Sequence, residues 1–504
     1  MEKLSELKLP TVIQGGMGVG ISNWRLARAV AETGQLGVVS GTALDRVLLR
    51  RLQDGDPGGH MRRALDHFPF PAMAARVRDK YYIAGGKAPA AAYANSAQFA
   101  KDMPREVSEL LIVANFVEVW LAREGHSQAV GINYLEKIQP PHLASIYGSM
   151  LAGVDYILMG AGIPMRVPGI LDRYANHEPA TYPLYVAGAK EGDDTTMRFV
   201  PREFMEGDLP PLRRPWFLAI IASNTLAITM VKKANGRVDG FIIEGPTAGG
   251  HNAPPRGKLQ VNDIGEPIYG ERDVVDLPKL CELGLPFWLA GGYGSAEQVR
   301  AALAAGAAGV QVGTAFAFCA ESGLRDDYKQ AVLQQVADGT VRVFTDRLAS
   351  PTGFPFKVVQ LDGTVSDNKL AEARHRICDL GYLREAYRTP EGAIDFRCAS
   401  EPISLFLSKG GAIEETVGRK CLCNALLATV GHPQIRAGKH LEAGIITCGD
   451  DLTELKRFVP ADGSAYHATD VVAVLLGGML NSGDPVDVLP GEPHVTESSC
   501  DGSD

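Results

Sequence analysis

Residues 242–257 read IIEGPTAGGHNAPPRG: an apolar run ends on an acid, a glycine pair follows, and His251 comes at once. An imidazole on a loop stripped of bulk can take a proton from a substrate carbon or orient a substrate oxygen. A surface or capping place is the plainer reading for any one of eleven histidines. The glycine pair and the strand-end position favour chemistry at His251. Glu244 ends the same run, and it suits either a hydrogen bond to a ligand's ribityl-type hydroxyl or a cap on the loop.

Two more glycine-rich stretches follow apolar runs. LAGGYGS (289–295) leads into the helical pattern SAEQVRAALAAG, and VGT lies within AGVQVGTAFA (308–317), read as the next strand. Bare backbone lets N–H groups close around an anion. In this order Gly291, Gly292, Gly313 and Thr314 are expected to hold a cofactor phosphate; tight βα turns are the alternative. QGGMGVG, by contrast, opens no G-x-G-x-x-G fingerprint and is a weak dinucleotide signal.

A second chemical group lies late in the chain. None of the eight cysteines precedes Cys281, and Cys378, Cys398, Cys421 and Cys423 crowd together. Soft thiolates in that number suit zinc or an iron–sulfur cluster, which could pass single electrons to or from a redox cofactor. Their spacing matches no common zinc or ferredoxin pattern, and buried free thiols packed as small apolar residues are the alternative.

The elements that must carry these groups alternate. PTVIQGG, LGVVSG, AVGINYL, DYILMGAG, WFLAIIAS, DGFIIEG, PFWLAGG and AGVQVGTAFA read as about eight apolar strands, most ending in Gly, Asn or Ser and separated by helical patterns. That rhythm predicts an α/β fold, a TIM (β/α)8 barrel with helical insertions and a Cys-containing C-terminal region, rather than a Rossmann sheet. SNWRLARAVAETG (22–34) reads as a helix with a serine cap and a glycine stop. LLIVANFVEVWLA (110–122) carries Asn115 and Glu118 and reads as a buried helix, not a membrane span. The expected layout is a barrel over 1–325 with a helical insertion near 54–125, a mainly helical region over 326–482, and a disordered acidic tail over 483–504. A long excursion is expected at 187–211.

Composition limits the rest. The 504 residues exceed one ordinary core, and 45% hydrophobic with 22% charged residues suits a soluble globular chain. A net charge of −9 without a basic run argues against nucleic acid. The N-terminus lacks an apolar signal core, so a cytoplasmic protein with mostly reduced thiols is expected, with no membrane partner and a homodimer left open.

Taken together, EGPTAGGH, QGGM, LAGGYGS and VGTAFA resemble the nitronate monooxygenase (2-nitropropane dioxygenase) family and the related FMN-dependent enoyl-ACP reductases. The resemblance covers roughly 10–322, and more loosely SPTGFPFK (350–357). It implies an FMN-binding TIM barrel. Gly16 and Met17 match residues along the flavin, and Asn133 one that hydrogen-bonds near it. Gly249, Gly250, Gly291, Gly292, Gly313 and Thr314 match the phosphate side, and His251 matches the catalytic histidine. Pro246, Thr247 and Ala248 depart from the residues usual before the glycine pair, and QGGM leans towards the reductases. The resemblance implies oxidation of a nitronate or similar carbon acid with O2. The alternatives are an NAD(P)H-dependent reductase of an enoyl thioester, or a flavin-binding partner in an assembly without catalysis.

Overall fold

The computed structural model describes residues 9–437 and 440–477. Eight parallel strands form the centre: β1 (Val12–Gln14), β2 (Gly37–Ser40), β3 (Val130–Leu135), β4 (Tyr156–Gly160), β5 (Trp216–Ile221), β6 (Gly240–Glu244), β7 (Phe287–Ala290) and β8 (Gly309–Val312). Each pairs with the next in chain order from β2 to β8, and β8 pairs with β1. The ring closes where Gln14 N–H donates to the Leu36 carbonyl at 2.9 Å and Leu36 N–H to the Val12 carbonyl at 3.1 Å. This is the expected TIM barrel.

Period two along each strand sends alternate side chains to opposite faces. Ile13, Val38, Leu158, Leu218, Ile242 and Trp288 fill the barrel interior as one cluster. Val12, Val39, Ile157, Phe217 and Ile243 face outward into the larger core with the helices. Trp288, wholly buried, donates its indole N–H to the Pro10 carbonyl at 2.7 Å, so the largest interior side chain leaves no orphaned donor.

The helix after β1 runs Trp24–Glu32, but its cap is Asn23, whose side chain accepts from Leu26 N–H at 3.0 Å. The expected serine cap is therefore corrected. Ser22 instead donates to the Gly15 carbonyl and accepts from Met17 N–H, both at 2.9 Å, which pins the loop at the barrel mouth. The 54–125 region is helical in part, with helices His60–Asp66, Pro71–Tyr81 and Arg105–Arg123. The last is the expected buried helix. Its Asn115 accepts from Tyr134 Oη at 2.9 Å, and its Glu118 takes Trp24 N–H at 2.9 Å and Arg51 at 2.6 Å. Polar residues there are tolerated because each is paired. The 187–211 excursion carries strand Thr196–Phe199, which pairs antiparallel with Ala180–Pro183.

Two expectations change. AGVQVGTAFA is not all strand: β8 stops at Val312 and Thr314–Ala317 is a short helix. Nor is the region after 326 mainly helical. Short helices alternate with loops and with antiparallel strands Val343–Asp346 and Phe356–Val359, and Glu385–Arg388 and Ile394–Arg397. Glu385–Arg388 also pairs in parallel with Val186–Ala187, tying this region to the barrel's own excursion. Phe458, Tyr466, Val471 and Leu475 belong to the same apolar cluster as the barrel helices. The acidic tail over 483–504 lies outside the described residues.

Candidate functional site

The C-terminal ends of the strands surround a cavity of about 1500 Å³, its open mouth included. Gly16, Met17, Asn133, Glu244, Gly249, Gly250, His251, Gly291, Gly292, Gly313 and Thr314 all line it. Every barrel residue singled out in the sequence therefore meets in one place.

The first loop is shaped by exclusion. A side chain at Gly16 would put its Cβ 2.4 Å from that of Asn133, and Asn133 Nδ2 donates to the Gly16 carbonyl at 3.2 Å. This leaves Asn133 Oδ1 buried without a hydrogen-bond partner, and Gln311 Oε1, from β8, is orphaned in the same way. Buried acceptors without partners are costly unless a ligand satisfies them. Gln311 escaped the sequence reading because a glutamine inside an apolar strand carries no glycine or histidine signal.

Gly291 and Gly292 have φ of +91° and +81°, which bends the chain after β7 as only glycine does without strain. Opposite them, the C-terminal region crosses the mouth. Phe356 forms an antiparallel bridge with His251; Asn252 N–H donates to the Pro355 carbonyl and Lys357 N–H to that of Gly250, each at 3.0 Å. Gly250 N–H donates to Thr447 Oγ1 at 2.9 Å, and Gly449 N–H to Thr314 Oγ1 at 3.0 Å. A Cβ on Gly249 would lie 2.6 Å from the Cys448 carbonyl carbon, so that glycine serves chain packing as well as any ligand. Thr447, Cys448, Gly449 and Asp451 thus join the cavity lining. They are some 200 residues away from the glycine pair in sequence, and no local pattern announces them.

His251 is held from the same side. Its Nε2 lies 2.7 Å from Ser350 Oγ, and Ser350 Oγ lies 2.8 Å from Thr352 Oγ1. Its ring sits 4.8 Å from that of Phe356. Burial first, and then the nearby Lys137 cation, lower its pKa to about 4. The imidazole is therefore neutral at pH 7. In the tautomer whose Nε2–H donates to Ser350 Oγ, Nδ1 is an acceptor. Burial alone raises Glu244 to about 7. Asp451, which hydrogen-bonds the Thr314 hydroxyl, is also raised, by burial above all.

The four candidate metal ligands come together too, but not as expected. Cys378, Cys398, Cys421 and Cys423 line one small separate cavity. Among the described residues, however, no three His, Cys, Asp or Glu side chains are placed to hold a metal ion. The zinc or iron–sulfur expectation is corrected: the thiols share a space without converging on a point.

Residues 215–349, which run from β5 through β8 and beyond, match the family model for nitronate monooxygenase. The chain resembles the nitronate monooxygenases. It is 26% identical over 286 residues to the nitronate monooxygenase of Pseudomonas aeruginosa, covering 56% of this chain and 73% of that one. It is 31% identical over 131 residues to the (3aS,4S,5R,7aS)-5-hydroxy-7a-methyl-1-oxo-octahydro-1H-indene-4-carboxyl-CoA dehydrogenase of Mycobacterium tuberculosis, covering 26% of this chain and 32% of that one. With a probable nitronate monooxygenase of Staphylococcus haemolyticus the identity is 31% over 126 residues, 25% of this chain and 34% of the relative. The matched segment thus spans only about a third of the latter two relatives. Among solved structures, the nitroalkane oxidase of Streptomyces ansochromogenes superimposes with a TM-score of 0.46 at 15% identity, covering 94% of this chain and 96% of that one. FabK of Thermotoga maritima gives 0.44 at 18%, covering 94% and 92%. Among the described residues no helix is long and apolar enough to cross a membrane.

Proposed function

We propose that the protein is an FMN-dependent oxidoreductase that oxidises a nitronate or similar carbon acid, with O2 as electron acceptor. The observation that carries this reading is the meeting, in one cavity, of a neutral imidazole with two orphaned amide oxygens and the glycine-lined ends of β7 and β8. The residues present fit a flavin. Asn133 Oδ1 and Gln311 Oε1 are acceptors in want of donors, FMN offers its one ring N–H and its ribityl hydroxyls, and Gly291, Gly292, Gly313 and Thr314 would take the phosphate end. Glu244 would take a ribityl hydroxyl. Bound FMN supplies two-electron redox chemistry.

The chain's own residues supply the rest. With a neutral carbon acid, Nδ1 of His251 would accept the proton from the substrate carbon, whereas a nitronate arrives with that proton already lost; the Ser350–Thr352 pair holds the other ring nitrogen. The glycines at 249 and 250 leave the approach to the ring open, while Phe356 covers its other side. Anaerobic mixing with a nitronate tests the proposal. Bleaching of the flavin absorbance, with recovery on admitting air, is expected; a protein that binds no FMN at micromolar concentration overturns it.

A second reading is favoured by the relative named as a carboxyl-CoA dehydrogenase. An acyl thioester would then be the substrate, with NAD(P)H as reductant. Bleaching by NADPH, followed by turnover on a crotonyl thioester, selects this reading over the first.

A further inference from the structure

The small cysteine-lined cavity is built from distant parts of the chain. Cys378 lies in the loop before strand Glu385–Arg388, Cys398 directly follows strand Ile394–Arg397, and Cys421 and Cys423 sit at the start of helix Leu422–Thr429. Only Leu383 and Cys423 line both this cavity and the large one at the barrel mouth. The two spaces are therefore separated by a wall one side chain thick.

Within the cluster one pair stands apart. The thiols of Cys378 and Cys398 are neighbours that shift each other's ionisation, and both line the cavity. Cys378 is half-buried and Cys398 buried, and neither is joined in a disulfide. Cys421 instead takes a contact from Asn424 Nδ2 at 3.5 Å. Two positions apart at a helix start, Cys421 and Cys423 do not face one another. The cation of Arg384 acts on both Cys378 and Cys398. A partly exposed thiol beside a cation, with a second thiol next to it, is the arrangement of a peroxide-reactive centre and its resolving partner.

We propose that Cys378 and Cys398 are a reversible redox dithiol, closed to a disulfide by a hydroperoxide, in the small cavity beside the barrel mouth. The Cys378 sulfur attacks the O–O bond of hydrogen peroxide; a sulfenic acid forms and one water leaves. The Cys398 sulfur then attacks the sulfenic sulfur, the S–S bond forms, and a second water leaves. Two thiols and one peroxide become one disulfide and two waters, the sulfurs losing the two electrons that the peroxide gains. A small dithiol reverses the change. Such transient disulfides are the kind a reducing compartment permits. The inference does not depend on which substrate the large cavity takes.

The test uses the full-length protein with equimolar hydrogen peroxide, differential alkylation and peptide mapping, together with zinc and iron analysis. The expected result is loss of two thiols per chain, one new bond linking Cys378 to Cys398, and full recovery with dithiothreitol. Cys398→Ser is expected to stall Cys378 as a sulfenic acid that dimedone traps. Thiols that all survive, a bond between any other pair, or stoichiometric metal held by the four cysteines overturns the proposal. The mapping needs no variant, so a misfolded Cys398→Ser protein leaves the test intact.

Discussion

The ends of β6, β7 and β8 and the C-terminal segments 350–357 and 447–451 line one cavity, yet they reach it by opposite routes. The strand ends arrive by local rules: an apolar run, a glycine, a helix. The C-terminal segments arrive by backbone contacts across long sequence separations, such as Gly250 to Thr447 and Gly449 to Thr314. The barrel supplies His251, and the later segments hold its ring and close its surroundings. A site on a barrel can thus have its chemistry written in one part of the chain and its geometry in another.

Five measurements press on that division. The largest effect is expected from His251→Ala, which should leave FMN bound but slow flavin reduction by carbon acids by about 10²–10⁴-fold in stopped-flow traces. A wild-type rate would move the chemistry elsewhere. Gly249→Ala comes next. Its Cβ meets the Cys448 backbone, and overpacking of that kind costs about 1–3 kcal/mol. The readout is FMN affinity by fluorescence titration, beside the melting temperature; no change in either would mean that the two regions do not press on each other. Ser350→Ala removes the partner of His251 Nε2, worth about 0.5–1.5 kcal/mol, so kcat should fall by about two- to twelvefold with KM unaltered. An equal loss in both would show that Ser350 contacts substrate instead.

The last two are pH effects. Asp451 is raised by burial, and its carboxylate beside Thr314 repels an incoming phosphate once ionised. FMN should therefore bind more tightly as pH falls and Asp451 takes up its proton, and Asp451→Asn should bind more tightly at pH 8 by a few-fold and with a flatter profile. A steeper profile in the variant would exclude Asp451. Finally, His251 is neutral above about pH 4, so it should impose no step on kcat/KM between pH 5 and 8. A step near 7 belongs to Glu244, which is protonated below that pH and ionised above it, and Glu244→Gln should abolish the step. A step that survives in that variant assigns it to another group.

Much of the barrel was legible because its signals are short-range. Apolar runs, most ending in Gly, Asn or Ser, marked β1 to β8, and the glycines named as ligand-facing all line the cavity. Where the reading failed, a local signal pointed the wrong way. Ser22 looked like a cap, but Asn23 was one residue closer to the first helical turn. TAFA continued an apolar strand by composition, yet after Gly313 the chain had left the sheet and formed a helical turn instead. Gln311, Thr447 and Asp451 gave no warning, because their roles exist only once distant backbones meet. The cysteines were recognised as a group from sequence proximity, but proximity along a chain does not fix where sulfurs point.

The stitch between Gly250 and Thr447 joins residues 197 positions apart. A ribosome delivers those partners in order, with the glycine pair well before its cover. A barrel without 447–451 would lack that side of its pocket, where Thr447, Cys448, Gly449 and Asp451 line the cavity.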